Sequence, residues 1–510
     1  MTRTIVIGAG HNGLVAAVLL ARAGRDVLVL ERDTVVGGAC RTEHPFARVP
    51  GLGASTGAYL LGLTPPELLD QLGLELPLRR REPHYFLPTL DGTSVLLGGD
   101  PDENRRQLSH VADAADLDAL DRMDTELSAL REDLAGSWLA PATDVATTAA
   151  RWVRAELRDT YVDLVSGSVR AYLDRVGLRS PVLRAMYAVT DAFPGLHGGL
   201  DTPGSGHNFL VHNSGRLPGS GGTWMVVEGG MGTVTQRLAA LATAAGAEVR
   251  TSAPAVAVHT RGGAEVTGVA LADGTVLPVD EVVLACDPWR AVDLLGAEVV
   301  PDLAGRLDDW AARPGTTLKV NLALTDLPTF TALPERVGQH GATVHLLPAG
   351  DDAEAAVETA HAAAMAGDLP DDPPLEVYGH TVVDPSLQDA AGHHSAALFV
   401  QWVPNEPTAG AWDDVAPGYV EHLLGNAARY APDLPGLVAD VDVVHPAEIA
   451  RRFGITGGNI FHVDNTFALT DRVPTHLGVG GVVAAGAGCH PAGSVIGAAG
   501  HNAARALLDA

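Results

Sequence analysis

The sequence predicts an α/β fold in which a Rossmann-type dinucleotide-binding domain is interrupted by an α+β domain. A strand, a glycine loop, a helix and a second strand follow one another within residues 4–31. Residues 102–190 are rich in Ala, Leu, Arg, Asp and Glu, as expected for several amphipathic helices. Glycine-rich α/β stretches return at residues 228–260 and near the end of the chain. The nucleotide-binding domain is therefore assembled from separated pieces.

The first unit has the complete pattern of a dinucleotide-binding βαβ motif. Its predicted elements are a strand at 4–7, a helix at 14–23 and a strand at 26–30. Gly8 permits the tight turn, Gly10 lets a diphosphate approach the backbone, and Gly13 lets the helix pack on the strand. Glu31 ends the second strand, where it can accept hydrogen bonds from a ribose diol. The strands, helix, glycines and acid together indicate dinucleotide binding much more strongly than glycines alone.

A second glycine pair favours FAD over NAD as the dinucleotide. A glycine pair, Gly37 and Gly38, begins six residues after Glu31. Glycines at this place suit a cofactor whose diphosphate and ribityl chain pass close to the backbone beyond the first unit. Arg32 and Ala39 flank this segment and are included among the cofactor contacts.

The remaining chain divides into alternating pieces of the two domains. The predicted pieces are 1–90, 221–300 and 446–510 for the FAD-binding domain, and 91–220 (mainly helical) and 301–445 (sheet plus helices) for the substrate domain. Residues 266–271 and 275–278 flank an Asp-Gly turn and predict a hairpin. Residues 482–485 predict a last strand before a glycine-rich segment and a closing helix. A single Rossmann signature argues against a second nucleotide domain for NADPH.

Composition excludes several classes of partner. The formal net charge is −28, which argues against nucleic acid and against anionic membrane surfaces. The three cysteines contain no C-x-x-C pair, and no Cys/His spacing typical of a metal site occurs. The chain begins with a strand pattern instead of a signal peptide, and no uninterrupted apolar run predicts stable membrane insertion. We therefore expect a cytoplasmic protein.

Several segments resemble the phytoene-desaturase-like FAD flavoproteins of the flavin amine oxidase-like superfamily. These segments are GAGHNGLVAA at the start, TPGSG at 202–206, EGGMGTVTQRLA at 228–239, TLKVNLAL at 317–324, FGITGGNIFH at 453–462 and GAGCHPAGSVIGAAGHNAA at 486–504. They span nearly the whole chain. The branch they resemble contains the animal pyridine nucleotide-disulphide oxidoreductase domain-containing protein 2.

The resemblance implies a flavin amine oxidase-like fold and two-electron oxidation with flavin N5 as the acceptor. The expected cofactor-binding residues are Gly8, Gly10, His11, Asn12, Gly13, Glu31, Arg32, Gly38, Ala39, Val256, Gly486, Gly488, Val495 and Ile496. Val256 resembles the position whose backbone holds the adenine. His11 and Asn12 lie in the phosphate loop, where they serve its shape.

Lys319 is the first catalytic candidate, and it is the only lysine among 34 basic Lys and Arg residues. It lies inside an apolar alternation, 318–324, that predicts a strand facing a core on one side. The resemblance places Lys319 where it reaches the flavin N5 region through a water molecule. A desolvated lysine can lose its proton whereas arginine cannot. We expect Lys319 to hold that water or to stabilise negative charge when reduced flavin meets oxygen.

Two histidines complete the catalytic candidates. His490 lies in the closing glycine segment and either acts as a hydrogen-bond donor or base, or orients another group. His462 matches the family motif and either lines the site or makes a loop hydrogen bond. The neighbouring Cys489 is read as a small buried residue, with a covalent flavin link as the alternative. His393 and His394 are read as an ordinary loop.

These observations leave three functions open. The main hypothesis is an FAD-dependent oxidoreductase that dehydrogenates a small or medium organic substrate and passes electrons to O2 or a quinone-like acceptor. The first alternative is a carotenoid or polyene desaturase, isomerase or ketolase acting at a membrane. The second is a non-catalytic flavin-binding scaffold. The expected partners are a small-molecule substrate and the electron acceptor, and a homodimer is kept open.

Overall fold

The computed structural model describes residues 2–350 and 352–510, which form both strands and helices. The strands are β1 Arg3–Ile7, β2 Asp26–Leu30, β3 Leu78–Arg79, β4 Tyr85–Pro88, β5 Ser94–Leu97, β6 Val226–Val227, β7 Glu248–Arg250, β8 Ala255–Arg261, β9 Glu265–Leu271, β10 Val276–Pro278, β11 Glu281–Leu284, β12 Thr317–Leu324, β13 Thr343–Leu346, β14 Leu375–Gly379, β15 His394–Gln401, β16 Val438–Val444 and β17 Val482–Ala484.

The α-helices occur both between the strands and in a consecutive run from residue 101 to residue 212. They are α1 His11–Arg22, α2 Pro66–Leu72, α3 Pro101–Leu108, α4 Ala114–Asp133, α5 Val145–Trp152, α6 Arg158–Ser166, α7 Val169–Val176, α8 Pro181–Tyr187, α9 Ser205–His212, α10 Gly232–Ala244, α11 Pro288–Leu295, α12 Pro301–Ala304, α13 Leu307–Ala311, α14 Ala353–Met365, α15 His380–Val383, α16 Trp412–Ala428, α17 Leu434–Leu437, α18 Pro446–Phe453 and α19 Ala498–Leu508. In the described part of the chain, none of these helices is both long and apolar enough to cross a bilayer.

A five-stranded parallel sheet carries the nucleotide-binding motif. Its order is β17-β11-β1-β2-β7, and each neighbouring pair is parallel. Helix α1 is buried along almost its whole length and packs between α10 and α19. This arrangement confirms the predicted α/β class with a Rossmann-type sheet. The strands come from three separated stretches of the chain, residues 3–30, 248–284 and 482–484.

A seven-stranded sheet forms the second layer. Its order is β16-β12-β15-β14-β13-β4-β5, and its pairs are antiparallel except for β13 with β4. Strand β4 lies before residue 90, so this sheet includes residues of the segment 1–90, which was expected to belong to the FAD-binding domain. The apolar residues of β12 at even positions enter a core with α16. The opposite face of β12 contacts residues 46–57 and, through Thr317 and Lys319, lines a cavity.

The structure tests two local predictions, the hairpin at 266–278 and the loop at 393–394. Strands β9 and β10 pair antiparallel, which confirms the predicted hairpin. The loop prediction for His394 is wrong, because this residue begins β15 and pairs with Leu324. His393 precedes the strand, and its Nδ1 atom lies 2.8 Å from Asp389 Oδ2.

Candidate functional site

A cavity of about 610 Å³ opens at the carboxyl ends of the parallel strands. The segments that follow β1, β2 and β11 line one side, and β12 and β15 of the second sheet line the other. Ligands of open parallel sheets bind at this edge, because the loops leave the strands there. The cavity is therefore the candidate cofactor and substrate site.

The first glycine loop is shaped by close backbone contacts. Gly8 has φ of +106°, which favours glycine, and Gly10 is the N-cap of α1. A Cβ atom on Gly13 would overlap the Gly8 carbonyl oxygen, whereas one on Gly10 would meet no atom within 4 Å. Gly10 therefore leaves room for a ligand, and Gly13 allows the helix to approach the strand.

The second glycine pair lies directly against the first loop. Gly37 N–H donates to the Ala9 carbonyl over 2.9 Å, and Gly37 forms a parallel bridge with Gly10. Gly38 and Ala39 both line the cavity. The spacing of the two glycine motifs in the sequence thus brings two stretches of accessible backbone to one wall.

Glu31 is held rigidly at the end of β2. Its Oε2 accepts from the Ala9 N–H and its Oε1 from the Asp33 N–H, both over 2.9 Å. The residue is 7% exposed and lines the cavity. A carboxylate fixed in this way keeps lone pairs free for a ribose diol. Val256, which is 52% exposed, lies at the rim of the cavity, and Arg32 lines it too.

Lys319 lies in the cavity wall on the β12 face opposite the apolar core. Its Nζ donates to the carbonyls of Ser55 and Gly57, the latter over 3.0 Å. It also lies 5.0 Å from the centroid of the Tyr59 ring. Burial lowers the pKa of Lys319 to about 7. The side chain can therefore change its charge near neutral pH, which an arginine cannot do.

Aromatic side chains around Lys319 were not found by sequence reasoning. Tyr59, Trp224 and Phe399 line the same end of the cavity. The Tyr59 and Phe399 rings lie 5.4 Å apart. The three residues belong to distant segments, and the sequence around each lacks a motif that could have identified it.

Three cavity-lining side chains carry buried polar atoms without a hydrogen-bond partner. These atoms are His11 Nε2, Asn12 Oδ1 and His462 Nδ1. Burial, helped by the neighbouring His462, lowers the pKa of His11 to about 4, so His11 is neutral at pH 7. Leaving such groups unsatisfied costs about 1–3 kcal/mol each. A polar ligand that supplies partners, with a diphosphate at the glycine loops, fits this wall, and FAD is such a ligand.

Most of the remaining expected residues do not line the cavity. Gly13, Gly486, Gly488, Ile496 and His490 are not among the lining residues, whereas Val495 is. His490 Nε2 lies 3.0 Å from the Ser137 carbonyl, and burial lowers the pKa of His490 to about 4. This placement favours the orienting role of His490 over that of a base. The catalytic assignments of Lys319, His462 and His490 stay predictions.

Cys489 is buried and also lies outside the cavity lining. Burial raises the pKa of its thiol to about 12, so little thiolate is present at neutral pH. The structure therefore favours the buried small residue over the covalent flavin link.

Comparison with known proteins gives consistent matches. Residues 13–323 match the family described as flavin containing amine oxidoreductase. Pyridine nucleotide-disulfide oxidoreductase domain-containing protein 2 of Rattus norvegicus is 33% identical to this chain. The alignment covers 99% of this chain and 93% of the rat protein. One of the subunits of limonene dehydrogenase from Castellaniella defragrans is 25% identical, over 89% and 81% of the two chains.

The fold has solved counterparts. Wild-type putrescine oxidase bound to putrescine superposes with a TM-score of 0.60 over 100% of this chain and 99% of the other, at 18% identity. At this identity the likeness shows the flavin amine oxidase-like fold alone, as the sequence predicts.

Proposed function

We propose, from the premise that this chain belongs to the flavin containing amine oxidoreductase family, that it dehydrogenates a small or medium organic substrate. As a member of that family, the protein is an FAD-dependent oxidoreductase. In the proposed reaction, bound FAD supplies the acceptor of the substrate hydride at its N5 atom. The relative named as part of a limonene dehydrogenase supports a dehydrogenation of this kind.

The residues of this chain would bind and orient the reactants. The two glycine loops would receive the diphosphate, and Glu31 the ribose. The aromatic wall of Tyr59, Trp224 and Phe399 suits an organic substrate with substantial apolar surface and limits the entry of water.

The single observation that carries the proposed choice of O2 as the electron acceptor is the buried amine of Lys319 in the cavity wall. Two carbonyls and an aromatic face hold its Nζ in place. As an ammonium ion it would stabilise negative charge that develops when the reduced cofactor passes electrons to O2. As a neutral amine it could instead hold a water molecule. The same site could also serve a quinone-like acceptor without a role for Lys319.

The test is the rate at which dissolved O2 reoxidises the chemically reduced flavin of the purified holoenzyme. We expect fast reoxidation in the wild type and a loss of about 100-fold in the rate of Lys319→Met, since removing one preorganised stabilising group typically lowers a rate by about 10²–10³-fold. Lys319→Arg is the matched control, because it keeps the charge but cannot lose its proton. Slow reoxidation in both the wild type and Lys319→Met would refute the oxygen role and favour a quinone-like acceptor.

A further inference from the structure

Arg472 is a fully buried arginine whose hydrogen bonds all go to neutral acceptors. It is 0% exposed. Its guanidinium donates to the carbonyls of Cys489, Asp464, Phe467, Phe461, Val463 and Ala487, at 3.0–3.5 Å, and to Asn465 Oδ1 at 3.0 Å. Among the described residues, no carboxylate oxygen lies within 4 Å of it, in contrast to most arginines of this chain.

The acceptors belong to two segments that form part of the cavity wall. One segment is residues 461–467, and the other is residues 487–489. Phe461, His462 and Ala487 of these segments line the cavity. Arg472 therefore lies one residue layer behind the wall and joins its two parts. No other side chain that contacts both segments could supply as many donors as a guanidinium.

Among the described residues, no salt bridge neutralises the charge of Arg472. The pKa of Arg472 is lowered by burial to about 10, so the group stays protonated at neutral pH. Asp464 is the nearby carboxylate, but its oxygens accept from the His197 N–H and from Thr466. Burial is the main cause that lowers the pKa of His462, Asp287 of the cavity wall raises it, and the Arg472 charge lowers it by less than Asp287 raises it. The charge of Arg472 therefore reaches a residue of the cavity wall.

A buried charge acts over longer distances than a solvated one, because little water screens it. Two-electron reduction of FAD with uptake of one proton leaves the cofactor with one additional negative charge. A cation fixed behind the wall stabilises that charge without contacting the cofactor. Ile460 and Phe461 connect this region to the Lys319 end of the cavity, since Ile460 packs with Phe399 and Trp224.

We propose that Arg472 is a positioning residue that joins the two wall segments and whose positive charge raises the reduction potential of the bound FAD. The proposal depends on FAD binding and not on the identity of the substrate or the electron acceptor. Its failure is therefore distinguishable from failure of the oxygen role of Lys319.

The test measures the flavin reduction potential of the holoenzyme by equilibration with a reference dye, without any substrate. At a fixed dye ratio, we expect Arg472→Met to lower the ratio of reduced to oxidised flavin about tenfold, which is about 30 mV for a two-electron couple. Arg472→Lys keeps the charge and loses much of the hydrogen-bonding fork, so its potential should stay close to that of the wild type. Asp464→Asn removes the nearby negative charge and should shift the potential upward.

Arg184 supplies a matched control, because it is a buried arginine that is paired with Glu354 in the helical region away from the cavity. Arg184→Met should lower the melting temperature and leave the potential unchanged. A wild-type potential in Arg472→Met would overturn the proposal. If Arg472→Met does not hold FAD, an unchanged potential in Asp464→Asn overturns it, and an upward shift there, with Arg472→Lys at the wild-type value, supports it.

Discussion

At the scale of single residues, the titration of Lys319 links its burial to the proposed oxygen reaction. Burial lowers the lysine pKa to about 7, so the ammonium form predominates below that pH and the neutral amine above it. If the ammonium stabilises developing negative charge, the reoxidation rate should be highest below pH 7 and fall as the pH rises through about 7. Stopped-flow reoxidation of the reduced holoenzyme between about pH 5.5 and 9 measures this profile.

The two Lys319 variants distinguish charge from packing in that profile. Lys319→Met should give a slow rate without the step near pH 7, and Lys319→Arg should keep its rate to high pH because arginine does not titrate there. A step that persists in Lys319→Met would assign it to another group. A rate that rises with pH would favour the neutral amine.

Gly13 and Gly10 allow a second residue-scale prediction, because they serve different purposes in one loop. A methyl group on Gly13 meets the Gly8 carbonyl and the Ala285 side chain, so Gly13→Ala should force α1 away from β1. We expect at least a tenfold loss of FAD affinity, measured by flavin fluorescence during release. Gly10→Ala is the comparison, since its methyl group meets only open cavity: it should weaken FAD binding with little change in melting temperature. Equal melting temperatures in both variants would contradict the assignment of helix packing to Gly13 and of ligand space to Gly10.

Some residues of the site could be predicted from the sequence, and others could not. The glycines and Glu31 could be predicted because their tasks depend on a local turn and on a fixed distance along one βαβ unit. The orientation of His490 could not, since one sequence does not say which side of a loop faces the cavity. Tyr59, Trp224 and Phe399 meet only through tertiary packing, so no local pattern marked them.

At the scale of elements, one face of β12 packs into the core and stabilises the fold, and the opposite face carries the residue proposed to act in the reaction. Leu322 is fully buried in the core beside α16, whereas Lys319 faces the cavity. Leu322→Ala should destabilise the protein by about 2–5 kcal/mol through lost burial and a residual cavity. Calorimetry should show a lower melting temperature, while the FAD content and the reoxidation rate stay at wild-type values. A loss of FAD in folded Leu322→Ala would show that the two faces are coupled.

The elements of the first βαβ unit were predictable because they depend on local periodicity and glycine position. The strand Asp26–Leu30 begins and ends where the sequence pattern places it. Helix α1 begins at His11, three residues before the predicted start, because the last residues of the glycine loop already form its first turn. The order of the seven-stranded sheet was not predictable, since β4 and β13 pair across about 260 residues of sequence, an arrangement that periodicity does not encode.

At the scale of the whole molecule, the cavity depends on parts from the entire chain. The five parallel strands come from the beginning, the middle and the end of the sequence, and the second sheet closes the other side. The repeated glycine-rich α/β stretches predicted this assembly in pieces, and the division into domains by residue number stays a prediction. A ligand that contacts all of these parts should stabilise the molecule as a whole.

FAD binding should therefore raise the thermal stability of the complete protein. The buried atoms of His11, Asn12 and His462 that lack partners are expected to gain them when FAD fills the cavity. A ligand that binds only the folded state stabilises it by about 2.7 kcal/mol at 100 times its Kd. Scanning calorimetry of the protein stripped of FAD should show a lower melting temperature, which rises with each addition of FAD. In Gly13→Ala the same additions should shift the melting temperature less, because the glycine loop no longer accepts the diphosphate. If FAD left the wild-type melting temperature unchanged, the cavity would not be the FAD site.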